Sequence, residues 1–190
     1  MPLEPSDLDE LYGVPLAEFV RARKALASRL RQAERPYDAA VVEELKKPSA
    51  AVWAINQAAR QDRVAVERLV RTADRLRAIQ LGRAEGDPDA LQVATKEHRE
   101  AAKTLVGRAE TSLRSAGMSP SRALMERIAT TLHAAAVDEK ARRQLQPGQL
   151  ADELPPAGFG ALAGAPPLQL PRRMTKAVSG RPRGRKRWRS

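Results

Sequence analysis

The chain has 190 residues, with 34 Lys and Arg against 23 Asp and Glu, two His and no Cys. These counts exclude a disulfide framework, a cysteine-ligated metal and a thiol nucleophile, and two histidines make a multi-His metal site within one chain an unexpected feature. No run of eighteen apolar residues occurs, so no membrane span is expected, and the acidic start MPLEPSDLDE argues against a secretory or transit segment and for the cytoplasm. Alanine occurs 34 times and aromatics only six times, which predicts a thin, aliphatic, helical core rather than a β-rich one.

Taken in chain order, the predicted elements are helices. Pro15 opens a first one over residues 16–33, with Leu16, Phe19, Val20, Leu26, Ala27, Leu30 and Ala33 at three- and four-residue steps. Pro36 is expected to end it and Asp38 to cap a short helix over 39–47 that stops at Pro48. Ser49 caps a helix over 50–60 and Asp62 one over 63–81, the latter with Val66, Leu69, Val70, Ala73, Leu76 and Ile79 on one face and Gly82 and Gly86 at its end. Asp87-Pro88-Asp89 starts a long helix through about Ser115, with Leu91, Ala94, Ala101, Leu105, Ala109 and Leu113 as its stripe and Gly117 as its cap. Ser119-Pro120 is read as the next start, for a helix carrying Ala123, Leu124, Ile128, Leu132 and Ala135, and a last short helix covers DEKARRQLQ. The expected fold is all-α, an antiparallel bundle of about six helices over residues 1–146.

Composition then changes. Residues 147–180 hold six Pro and five Gly, too many for regular helix and too few apolar side chains for a second core. The segment 147–170 is therefore expected to be a linker, part of it packed on the bundle through Leu154 and Phe159. Residues 171–190 carry nine positive charges and no acid; removing those nine from 34 leaves the remainder of the chain with 25 basic against 23 acidic side chains. A nearly neutral body thus bears a disordered cationic tail, where a polyanion would bind first.

Within that tail, Arg181-Pro182-Arg183-Gly184-Arg185 resembles the AT-hook, a short peptide that lays an R-G-R core into the narrow minor groove of A·T-rich DNA. Gly184 has no side chain to keep the backbone off the groove floor, and the negative potential of a narrow groove attracts Arg183 and Arg185. Lys186 stands where that peptide usually carries proline, which keeps the charge and frees the backbone. The resemblance implies Arg181, Arg183 and Arg185 in the groove, with Arg172, Arg173, Lys176, Lys186, Arg187 and Arg189 on phosphates. Trp188 could add stacking on an unpaired base. The bland alternative is a solubilising polybasic end.

A second constellation is Lys46, Lys47 and Ser49 followed by Trp53, Asn56 and Arg60, the last three on one face of a single helix. Two lysines beside a capped helix N-terminus form a candidate anion or partner site. The architectural alternative packs Trp53 in the core, hydrogen-bonds Asn56 to a neighbouring helix end and pairs Arg60 with an acid of the first helix. Leu11-Tyr12-Gly13-Val14-Pro15, Phe19 with Arg23, and the run L-K-K-P-S with Trp53, Asn56 and Arg60 together resemble a family of helical proteins of high-GC actinobacteria. That resemblance spans roughly residues 8–155 and implies fold and cellular setting, without an activity.

His98 and His133 lie near apolar stripes and read as core or boundary histidines, with no evident Ser or Asp partner in the sequence. A phosphate-binding glycine loop, G-x-S-x-G, H-E-x-x-H and E-x-x-H are all absent from the sequence. The expectation is accordingly a non-enzymatic DNA-associated protein of the nucleoid with no cofactor. The alternatives are a helical protein–protein adaptor, including a homodimer through the body, and an RNA- or ribosome-associated protein.

Overall fold

Side-chain caps and positive-φ glycines set several of the helix ends. The computed structural model describes residues 5–82 and 88–156, and within them the chain forms eight α-helices with no strand. They are α1 (Pro5–Gly13), α2 (Phe19–Gln32), α3 (Pro36–Glu44), α4 (Ala50–Gln61), α5 (Arg63–Gln80), α6 (Pro88–Ser115), α7 (Arg122–Val137) and α8 (Glu139–Leu145). Ser49, Asp62, Ser121 and Asp138 each accept a backbone N–H in the first turn of the helix that follows, at 3.3, 3.0, 3.2 and 2.7 Å. Gly82 and Gly117, at φ 63° and 72°, supply the left-handed residue after α5 and α6.

The all-α expectation holds, with corrections in detail. The count among the described residues is eight, the seven segments read in chain order plus α1, into which the acidic start folds. Leu11 and Tyr12 at its end are buried and give that short helix its anchor. Leu16–Glu18 is a 3-10 turn, so α2 begins only at Phe19. Pro36 begins α3 instead of ending α2, since its missing N–H costs nothing in a first helical turn. Asp38 lies inside that turn and accepts from Arg35 Nε at 2.6 Å. Ser121, not Ser119, caps α7. Leu91 stands 40% exposed although Ala94 of the same stripe is fully buried.

Two cores result. The larger gathers α4 to α8: Ile55 and Val52 of α4, Val66 and Leu69 of α5, Leu105 and Leu113 of α6, Ile128 and Leu132 of α7, and Leu145 of α8. Alanine fills the close approaches, as the composition requires. The smaller core joins α1, α2 and α3 through Leu11, Tyr12, Phe19, Leu26, Leu30 and Val42, with the Tyr12 and Phe19 rings edge-on at 5.7 Å. Arg23 of α2 donates to the Leu45 carbonyl at the end of α3, where a cation also meets the negative helix end.

The chain does not leave the body at residue 146. Gly148 takes φ 71°, Leu150 is buried in the larger core and Leu154 packs against it, so this part of 147–170 is a strap across the bundle. Phe159 and every tail residue singled out above lie outside the described residues. Among the described residues no helix is long and apolar enough to cross a membrane.

Candidate functional site

Helix α4 carries the first candidate. Its N-terminus is set by Ser49, whose hydroxyl accepts from Val52 N and donates to Glu153 Oε1 at 2.6 Å. Glu153 is held in turn by Arg127 of α7, whose Nε donates to Oε2 at 2.7 Å, and the Arg127 guanidinium and the Ser49 hydroxyl hold this carboxyl below its usual pKa. The anion that a capped helix start attracts is thus supplied by the chain itself. Lys46 and Lys47 beside it are exposed.

The remaining members of this set point inward. Trp53 Nε1 donates to the Val14 carbonyl at 3.0 Å, and Gln57 Nε2 donates to Tyr12 O at 3.0 Å. Asn56, 1% exposed, donates from Nδ2 to Leu150 O and accepts at Oδ1 from Leu150 N, both at 2.9 Å. Arg60 donates to the Asp9 carboxylate at 3.2 Å, to the Asp9 carbonyl at 2.8 Å and to the Pro147 carbonyl at 3.3 Å. One face of α4 therefore binds the end of α1 to the strap and joins the two cores. Of the two alternatives weighed from sequence this geometry is the architectural one, with two differences. Asn56 reads an extended segment instead of a helix end, and the acid that Arg60 meets is on α1.

The second candidate was not foreseen as a unit. His98 of α6 and His133 of α7 meet with Nε2 and Nδ1 3.0 Å apart, and His98 Nδ1 lies 3.1 Å from the Thr72 hydroxyl of α5. The Thr72 hydroxyl donates to the carbonyls of Arg68 and Leu69, both at 2.9 Å. With its proton on one of these carbonyls the Thr72 oxygen can accept, and on that ground we assign His98 the Nδ1–H tautomer. His98 Nε2 is then a lone pair that accepts from His133 Nδ1–H, and His133 Nε2 is left as the basic nitrogen of the set.

Burial favours the neutral form of both rings. It lowers His98 to about 4, helped by the facing His133, and it lowers His133 with a contribution from Arg99. Three or more His, Cys, Asp or Glu side chains placed to hold a metal do not occur among the described residues. No protein-family model, curated protein or solved structure matches this chain.

Proposed function

We propose that the protein is a non-enzymatic, DNA-associated protein of the nucleoid whose helical body carries an AT-hook-like, arginine-rich arm. The observation that carries this reading is the charge distribution: nine cations and no acid in residues 171–190, arranged around R-P-R-G-R. What supports it from the body is that twelve arginines there are already engaged with carboxylates in fourteen ion pairs. Those twelve are about half of the 25 Lys and Arg in residues 1–170, where 23 acids nearly balance the charge, and the arm is left as the concentrated source of cations for phosphate. Arg183 and Arg185 flanking Gly184 would enter a minor groove, while the other basic residues of the arm would neutralise the backbone. The body would supply bridging, dimerisation or recruitment.

The test is a titration of the full chain and of a 1–170 truncation against A·T-rich duplex, G·C-rich duplex and structured RNA at two salt concentrations. Loss of binding on truncation, with A·T duplex preferred, is the expected result. If all nine charges met phosphates, the slope of log K against log salt would approach about −8, from roughly 0.9 per contact. Equal binding to all three ligands would reduce the arm to a generic polyanion grip. Undiminished binding by the truncation would move the site to the body. A helical adaptor is the second reading, favoured by Leu81, Leu91 and Val93 near the turn end of the α5–α6 hairpin, which are 43, 40 and 48% exposed. Failure of both forms to bind nucleic acid would promote it.

A further inference from the structure

We infer that Thr72, His98 and His133 form an acid-operated latch that holds α7 against α5 and α6 in the neutral state and lets α7 go when the second of two protons arrives. The argument rests on which nitrogens face each other. A first proton goes to His133 Nε2, the lone pair not used in the array. It leaves the His133 Nδ1–H to His98 Nε2 bond in place and makes it charge-assisted. A second proton has only His98 Nε2 to occupy. That nitrogen is the acceptor of the 3.0 Å bond, so its protonation sets two N–H groups, on two cations, against each other. The Thr72 end offers no relief, because its hydroxyl oxygen is already accepting from His98 Nδ1.

The charges on the surrounding elements leave the second cation uncompensated. On α6, Arg99 opposes charge on His133, and Glu97 is paired with Arg75 of α5 at 2.8 Å. Asp74 of α5 is paired with Arg142 of α8 at 2.6 Å, and Arg60 of α4 is committed to Asp9. Arg68 of α5 contributes its backbone carbonyl to Thr72. What α7 loses with the latch is its hydrogen bond to α6, while Ile128 and Leu132 still hold it to the core.

The experiment is amide hydrogen exchange on the full chain at pH 7 and pH 5, corrected for intrinsic rates, with the two histidine rings followed by long-range 1H–15N NMR. Expected are a neutral His98 carrying Nδ1–H, protonation of His133 before His98, and exchange in α7 rising on the order of 10- to 30-fold relative to α4. The His98→Leu/His133→Leu variant should show the same α7-to-α4 ratio at both pH values. Should that variant not fold, the wild-type titration decides alone. The inference is overturned if His98 protonates first, if α7 and α4 change in step, or if the folded double variant keeps the pH response.

Discussion

The Asn56–Leu150 clasp and the Thr72–His98–His133 array solve the same problem at two places in one core. Each takes polar groups out of water, and each satisfies them through side chains on helices that must stay together. They differ in chemistry. An amide neither gains nor loses a proton, so the clasp holds the strap equally well at every pH in which the chain is folded. The histidine array holds the same kind of contact only until His98 takes up a proton. Burial depth alone therefore does not decide how a polar contact behaves; the titrating group does.

The clasp can be broken most severely at Gly148. A Cβ there would lie 2.6 Å from Arg60 Cγ and 2.7 Å from the Asn56 carbonyl oxygen, on a backbone at φ 71°. Gly148→Ala combines left-handed strain with overpacking against backbone and is expected to cost about 3–5 kcal/mol. Asn56→Ala leaves the buried Leu150 N–H and C=O unpartnered, for about 2–4 kcal/mol, with no change in that cost between pH 7 and pH 5. Urea unfolding of both variants, followed by circular dichroism, measures these values. An Asn56→Ala effect below about 0.5 kcal/mol would mean that the strap does not depend on the clasp.

The histidine array should show the opposite profile. His98 is held at about 4 against an ordinary 6.5, so the unfolded chain binds a proton that the folded chain refuses anywhere between those values. The stabilisation from neutral His98 is thus complete above about pH 6.5 and is lost as pH falls toward 4. For a half-buried ring this amounts to about 2 kcal/mol, less than the full shift implies because part of the ring remains solvated. Unfolding midpoints in urea at pH 7, 6 and 5 should fall for the wild type and hold level for His98→Leu/His133→Leu.

Most of the helices were legible because their signals are local. Ser49 and Asp62 cap the helices they precede, Gly82 and Gly117 end theirs, and the 3.6-residue periodicity picks out buried Leu69, Leu105 and Ile128. Helix α1 was missed because, at nine residues, it is too short for its periodicity to register. Leu91 was misplaced because periodicity assigns a face but not a neighbour. The array was missed for a related reason, yet part of its signal was present. Thr72 and His98 are 26 residues apart, with their midpoint at position 85, in the connection between α5 and α6. His98 and His133 are 35 apart, with their midpoint between Ser115 and Ala116, where α6 ends. Antiparallel helices joined by short turns pair residues about equidistant from the turn, so mirror arithmetic brings Thr72 level with His98, whereas His133, 11 residues into α7 against the 17 that separate His98 from the end of α6, is not located by it. Glu153 and Gly148 had no such local marker, since the strap follows a Pro-Gly break whose path depends on what α4 offers it.

The smallest expected effect bears on the polarity of α4 itself. If its role is the inward one that Trp53, Asn56, Gln57 and Arg60 describe, the two lysines before it contribute little to the fold, being exposed while Ser49 already has Glu153. Lys46→Ser/Lys47→Ser should then change unfolding free energy by no more than about 0.5 kcal/mol, as surface substitutions away from special features do. Ser49→Ala is the contrast, removing both the cap and the donor to Glu153 at a cost of about 1–2 kcal/mol. A large loss from the lysine pair with a small one from Ser49→Ala would reverse the assignment. It would place the work of this corner on its exposed cations, and so return the start of α4 to consideration as an anion site.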